Sequence, residues 1–399
     1  MPFRSHAAPL AALLLTALIA APGLAATFTD SAGRRVELPD HVTRVLTAGP
    51  TADALVFSLA PNDLLGWSRA PQAPYVPRRF AGLPVTGLVL GPDPRSGAEI
   101  VRRLHPDLVI DAGPVTPLQA AFADRLQQST GVPCILVDDT FVRMPTVLRA
   151  LGQVLGVPDR AENLATYAEH AIDALRGRLL IQPSSGRPRV YYARGPDGLE
   201  TALPGSPAAA TLEEAGAINV AGALGSGRRA MVTRQQVLNW HPDIIIAEQR
   251  SFYDAVLRDP AWSGVPAVRN RQVFLAPSSP FGWIDEPPGV NRLIGLYWLS
   301  GLFYPDATQE NIRYTADDFY NTFYQEKLTD AQLHALTRAA RAPRQPGQKA
   351  PSEVLLGVGP EPTNIPLPGL QGTPHIPGRT PAMPTMPATP GIPGGNLKY

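Results

Sequence analysis

The sequence predicts an α/β protein: two lobes with parallel-rich sheets, joined by a single long helix, with a ligand cleft between them. Three observations carry this. Short aliphatic runs alternate with helix-like stretches through the middle of the chain, the pattern of parallel strands covered by helices. Two segments recur in the same order at nearly the same offset. Leu104-His105-Pro106-Asp107-Leu108-Val109-Ile110 is echoed by Trp240-His241-Pro242-Asp243-Ile244-Ile245-Ile246, and Arg44-Val45-Leu46 by Arg189-Val190-Tyr191. Between the echoes, Leu164, Tyr167, Ala168, Ile172, Leu175 and Leu179 keep the 3–4 spacing of one amphipathic helix.

Taken in order, residues 1–26 read as a secretory signal. Arg4 and His6 precede an apolar run from Leu10 to Ala20, too short to span a bilayer, and cleavage is expected near Ala25-Ala26. The first lobe, 27–157, is assigned strands at 44–48, 64–68, 107–112 and 133–138 and helices at 51–60, 97–104 and 117–129. The linker helix spans 158–182, with Asp159 as its cap. In the second lobe, 183–341, strands are expected at 189–193, 217–221, 243–247 and 272–276, and helices at 206–215, 233–240 and 252–258. Residues 342–399 form a Pro-rich tail. The 14 prolines between Pro343 and Pro393 preclude helix and sheet ladders, so a disordered, extended segment is expected.

Composition narrows the function. The chain has 35 basic and 34 acidic residues, a net charge of +1, so no strong field exists to hold nucleic acid or an anionic membrane. A single cysteine excludes a disulfide scaffold, a zinc ribbon and a cysteine-ligated cluster. Nucleophile-elbow, zincin, P-loop and dinucleotide fingerprints are missing, so an enzyme is not expected. His105 and His241 sit in equivalent helix-to-strand turns, Asp138-Asp139 reads as a strand-end cap, and Cys134 reads as buried and inert. No metal-ligand set and no cofactor is assigned.

Ligands of open α/β sheets bind beyond the carboxyl ends of the strands. Those ends supply Trp67 and Arg69 in the first lobe. The second lobe supplies Tyr192, Arg194, Arg228, Arg229, Glu248 and the loop carrying Phe281, Trp283, Asp285 and Glu286. Trp67, Tyr192, Phe281 and Trp283 offer flat apolar faces. Arg69, Arg194 and Arg228 offer planar cations suited to carboxylate, phosphate or catecholate oxygens. Together they describe a cavity for a bulky, partly aromatic, anionic ligand. Singly, a Trp or Phe is more often core, and Arg228-Arg229 suits a solvated loop. Arg69 and Arg194 are the strongest candidates, because each directly follows an expected strand.

The opening Phe28-Thr29-Asp30-Ser31-Ala32-Gly33-Arg34-Arg35-Val36, the stretch Glu99-Ile100-Val101 through Ile110, and Trp240-His241-Pro242-Asp243 resemble the iron-complex and vitamin B12 periplasmic binding proteins. These are the helix-bridged, class III solute-binding proteins of ABC importers. The resemblance covers about 27 to 335 and extends to Tyr191–Thr201 and Gly216–Ala221. It implies a monomer in the periplasm, not embedded in the membrane, that captures a metal chelate and hands it to permease subunits. A ferric siderophore-like ligand is the expectation. A corrinoid, haem held by Tyr191 or Tyr192, and a small molybdate-like oxyanion are the alternatives of the same class. An enzyme on the same scaffold, or an interaction protein acting through the tail, are alternatives from other classes. Family members dock on permease arginines through an acid on each lobe. Glu99 matches the first. The second position falls in Thr233-Arg234-Gln235-Gln236, which has no acid, and Glu213 or Glu214 is the expected substitute.

Overall fold

A computed structural model describes residues 26–71, 75–181, 186–305 and 311–339. Of the expected signal 1–26, all but Ala26 lies outside these, as does the Pro-rich tail 342–399. In chain order the elements are β1 (Ala26–Thr29), β2 (Arg35–Leu38), β3 (Val45–Thr47), α1 (Pro50–Leu59), α2 (Arg78–Ala81), α3 (Pro94–Leu104), β4 (Leu108–Ala112), α4 (Pro117–Thr130), β5 (Cys134–Val137), α5 (Met144–Val154), α6 (Pro158–Leu180), β6 (Arg189–Ala193), β7 (Glu200–Ala202), α7 (Pro207–Glu214), β8 (Ile218–Asn219), β9 (Arg229–Met231), α8 (Arg234–Trp240), β10 (Ile244–Ala247), α9 (Arg250–Val256), α10 (Pro266–Arg269), β11 (Val273–Leu275), α11 (Arg292–Phe303), α12 (Ile312–Tyr324) and α13 (Asp330–Ala339). The first lobe holds a parallel sheet ordered β3-β4-β5 and the second a parallel sheet ordered β11-β10-β6-β8. Two further antiparallel pairs are the hairpin β1-β2 and β7-β9, the latter enclosing α7 and β8 in the chain.

The repeated His-Pro-Asp is one local device used twice. In each lobe the histidine ends a helix in the left-handed region, His105 and His241 both at φ 46°. The following proline stops further turns. The aspartate then ties the helix end to the neighbouring strand: Asp107 Oδ2 accepts the Arg44 N–H at 2.9 Å, and Asp243 Oδ2 the Arg189 N–H at 2.8 Å. The same arginines donate back to the helix end, Arg189 Nη2 reaching the Trp240 carbonyl at 2.8 Å and Arg44 Nε the His105 carbonyl at 2.9 Å. Both sequence echoes are thus halves of one staple, and both histidines are caps.

The linker α6 runs 23 residues, about 35 Å at 1.5 Å per residue. Pro158 and Asp159 both sit in its first turn, the cap position falls on Val157, and no side chain caps it. Two expected strands are reduced. Residues 64–68 make only single bridges, Val45 to Leu64 and Trp67 to Val85. There Gly66 lies so close to the Pro84 carbonyl that an added Cβ would meet it at 2.5 Å, and the segment serves as a packing seam rather than a ladder. The 217–221 strand shrinks to Ile218–Asn219, because the Asn219 side chain accepts the Ala221 N–H and turns the chain into a 3-10 helix.

The sequence alone marks no element at α5, the β7-β9 pair, or α11 to α13. α11 is apolar all round, with Leu293, Ile294, Leu296, Trp298 and Leu299 buried, so it carries no amphipathic period. α12 returns to the first lobe: Tyr324 stacks on Phe57 of α1 at 5.8 Å, and Phe323 meets Tyr167 of α6 at 5.2 Å. One continuous apolar cluster therefore includes Phe57, Leu164, Ile246 and Phe323, and it fixes the two sheets against α6.

Candidate functional site

A cavity of about 520 Å³ opens where the carboxyl ends of both sheets face each other. From the first lobe it is lined by Pro50, Asp53 and Arg69, and from the second by Arg194, Glu200 and Glu248. The loop between β11 and α11 adds Phe281 and Glu286.

Arg194, the residue after β6, organises it. Its side chain is 5% exposed, and four carboxylates surround it. Nε donates to Glu200 at 3.1 Å and Nη2 to Glu286 at 2.9 Å; Glu248 lies 3.3 Å from Nη2, and Asp285 closes on Nη1. The guanidinium also lies 5.9 Å from the Tyr192 ring. Burial disfavours the cation, but Tyr192, Glu248, Glu286 and Glu200 outweigh it, so the Arg194 pKa rises above its ordinary value. Tyr192 is buried beneath it, and burial pushes its phenol well above the usual range.

Asp53 lines the other wall. It is buried, with Oδ1 accepting from Thr47 and Oδ2 from the Ser68 N–H at 2.9 Å and hydroxyl at 2.6 Å. Burial pushes its pKa up to about 6 despite those donors. Asp53 therefore positions the Ser68-Arg69 turn that carries a lining arginine.

The β11–α11 loop is built tightly. An added Cβ at Gly282 would meet the Asp285 carbonyl at 1.5 Å, so only glycine fits. The Asn291 side chain donates to the Gly282 and Pro287 carbonyls. Phe281 anchors the loop on the first lobe, 6.0 Å from Trp67 and 5.6 Å from Tyr324.

Of the expected residues, Arg69, Arg194 and Phe281 line the cavity. Arg229, weighed beside Arg228, does so too, pairing with Glu200 at 3.2 Å. Trp67, Tyr192, Trp283 and Arg228 do not line it. Trp67 is fully buried, donating to the Phe80 carbonyl at 2.8 Å and packed edge-on against Phe57 at 5.2 Å. Trp283 is buried against Trp298 at 6.3 Å and donates to the Tyr320 hydroxyl. Arg228 is exposed outside the cleft. The rings of Trp67, Tyr192 and Trp283 belong to the core, where their area is worth most.

Sequence reasoning gave the acids no role. Five carboxyl groups (Asp53, Glu200, Glu248, Asp285, Glu286) face three guanidiniums (Arg69, Arg194, Arg229). Carboxylate oxygens of Glu248, Asp285 and Glu286 lie within 4.8 Å of one another, and the cation they converge on is the Arg194 guanidinium. The strand-end position of Glu248 and the adjacent Asp285-Glu286 were the signals available.

Glu99 is exposed on α3. Glu213 is half-buried on α7, and burial raises its pKa; its neighbour Glu214 pairs with Arg176 at 2.7 Å. Thr233 and Gln236 form a reciprocal cap at the start of α8, which occupies the position where the resemblance expects an acid. Among the described residues no helix is long and apolar enough to cross a membrane.

The sequence profile of the periplasmic binding protein family matches residues 67–280. The molybdate-binding protein MolA of Haemophilus influenzae is 25% identical over 322 residues, 74% of this chain and 90% of MolA. An ABC transporter solute-binding protein from Sulfurospirillum deleyianum superposes with a TM-score of 0.70 at 27% identity, covering 78% of this chain and 99% of that one. The structure of Haemophilus influenzae MolA bound to molybdate superposes with a TM-score of 0.63 at 20% identity, covering 76% and 99%. The two-lobed fold, the helix bridge and the profile match agree: the chain belongs to the periplasmic binding protein family, in its iron-complex and vitamin B12 class, and is a solute-binding transport protein of the ABC type rather than an enzyme.

Proposed function

We propose that this protein captures a metal chelate of the ferric siderophore-like class in the Arg194 cleft and delivers it to an ABC importer permease. The observation that carries the reading is the presence of both charge signs in one cavity of about 520 Å³. That volume falls in the range of sites for drug-sized ligands, roughly 300–1,000 Å³. Guanidiniums suit the oxygens of a chelate. The cavity's carboxylates outnumber its guanidiniums and suit a cationic part of the ligand. A free anion alone would face more carboxylates than arginines. Glu99 on one lobe and Glu213 on the other are the proposed permease contacts. Cleavage of the first 26 residues is proposed as the route to the periplasm.

A second reading, a small oxyanion such as molybdate, is favoured by the relationship to MolA and by three arginines at one site. Native mass spectrometry of the protein from its own periplasm, with metal analysis of the same sample, separates the two. Bound iron with an organic chelator supports the first reading. Molybdenum without an organic component overturns it in favour of the second, and a cobalt corrinoid or haem replaces the ligand within the class.

A further inference from the structure

Glu286 holds one arginine from each lobe. Its Oε1 accepts from Arg194 Nη2 at 2.9 Å and its Oε2 from Arg69 Nη2 at 3.1 Å. The residue sits at φ 58°, in the left-handed region that a non-glycine side chain adopts only when its surroundings hold it there. Burial raises its pKa, but the hydrogen bonds from Arg194 and Arg69 outweigh burial, so the net shift is downward and the group is ionised at neutral pH. A carboxylate gripped with one oxygen per lobe has the geometry of an acidic ligand group closed upon by both lobes.

We propose that Glu286 is a built-in stand-in for an acidic group of the ligand, clamped between Arg69 and Arg194 and displaced when the ligand arrives. This rests on the chelate reading and deepens it: the ligand presents a carboxylate, or an oxyanion of similar two-oxygen geometry, at its edge. Exchange of one anion for another keeps both guanidiniums paired. A neutral ligand that displaced Glu286 would give up its ion pair with Arg69 and one of the four on Arg194, with no anion in exchange. Glu286 is thereby a specificity determinant, rejecting ligands that bring no anion of their own. Glu248 and Asp285 remain on Arg194 while Glu286 leaves, so the buried cation is never without a partner.

Titration calorimetry on the full mature chain tests this, with ferric citrate and molybdate as anionic probes and a cationic ferric trihydroxamate as control. Hydrogen exchange of the 277–290 backbone is followed in parallel on ligand-free protein. The expected result is that Glu286→Gln binds the anionic probe at least ten-fold tighter than the parent, that Glu286→Ala gains as much or more, and that the loop exchanges faster in both. Unchanged or weaker anion binding overturns the proposal, because Glu286 would then be a direct ligand contact or a bystander. If no probe binds parent or variant, the chelate reading fails and the stand-in falls with it; a probe that binds the parent and gains nothing from either substitution overturns the stand-in alone.

Discussion

Two nearly buried arginines divide the molecule's labour. Arg194 is 5% exposed and Arg292 is 1% exposed, and both meet carboxylates, yet their surroundings differ in kind. Arg292, in the first turn of α11, pairs with one acid, Asp139 of the opposite lobe, at 3.1 Å. The Asp139 and Gly289 carbonyls also accept from it, and it lies 4.6 Å from the Phe141 ring. That group is balanced in charge and closed to the cleft. Arg194 meets Glu200, Glu248, Asp285 and Glu286 on the wall of an open cavity, a surplus of acid that folding alone does not need. Balance marks a tie between lobes, and surplus beside an opening marks a place where partners change.

The sharpest break between the two comes from removing each cation. Arg292→Met leaves Asp139 buried and unpaired, and the stability measured by urea unfolding should fall by about 3–5 kcal/mol. The folded fraction should still bind ligand. Arg194→Ala strips the partner from four carboxylates and should lower the urea midpoint as well, but unlike Arg292→Met it should also cost the folded fraction at least ~100-fold in affinity, about 2.7 kcal/mol. An Arg194→Ala protein that binds normally would remove Arg194 from the site.

Proton linkage at Asp53 is the next largest effect. Its pKa in the fold, about 6, lies above its ordinary 3.8. The native state therefore holds this proton more tightly than the unfolded chain does. As pH rises from about 4 to about 6 the unfolded carboxyl ionises first, so stability contributed by Asp53 is present at low pH and is lost across that window. The loss amounts to about 2–3 kcal/mol at 1.36 kcal/mol per unit. Asp53→Asn should flatten that part of the profile, read as the difference between the two proteins' urea midpoints from pH 4 to 7. The smallest effects sharpen the boundary of the site. Arg69 is 57% exposed, so Arg69→Ala should weaken binding only about ten-fold, near 1.4 kcal/mol. Arg228→Ala, outside the cavity, should stay within about two-fold, inside the ±0.5 kcal/mol typical of surface changes.

Much of the frame is legible along the chain because its signals are local. The His-Pro-Asp staples need only a helix end, a proline and a nearby strand, and they recur intact at 105–107 and 241–243. The linker helix follows from apolar spacing over its own 23 residues. Arg69 and Arg194 are legible because each follows a strand. Trp67 and Trp283 mislead for the same reason: position at a strand end or in a loop says nothing about which way a large ring turns, and core burial claims both. α11 is silent because a helix buried on every side shows no period.

The sequence by itself determined the alternation of strands and helices, the two staples and the single bridge, since these are settled within a turn or two of chain. Only the tertiary structure decided that Glu286 reaches across 217 residues to Arg69 and 92 to Arg194. It likewise decided that four acids would gather on one buried guanidinium. The reason is physical: periodicity reports which face of an element is buried, whereas charge pairing across a cleft depends on how two lobes and a loop are packed against one bridge, and no stretch of local sequence carries that distance.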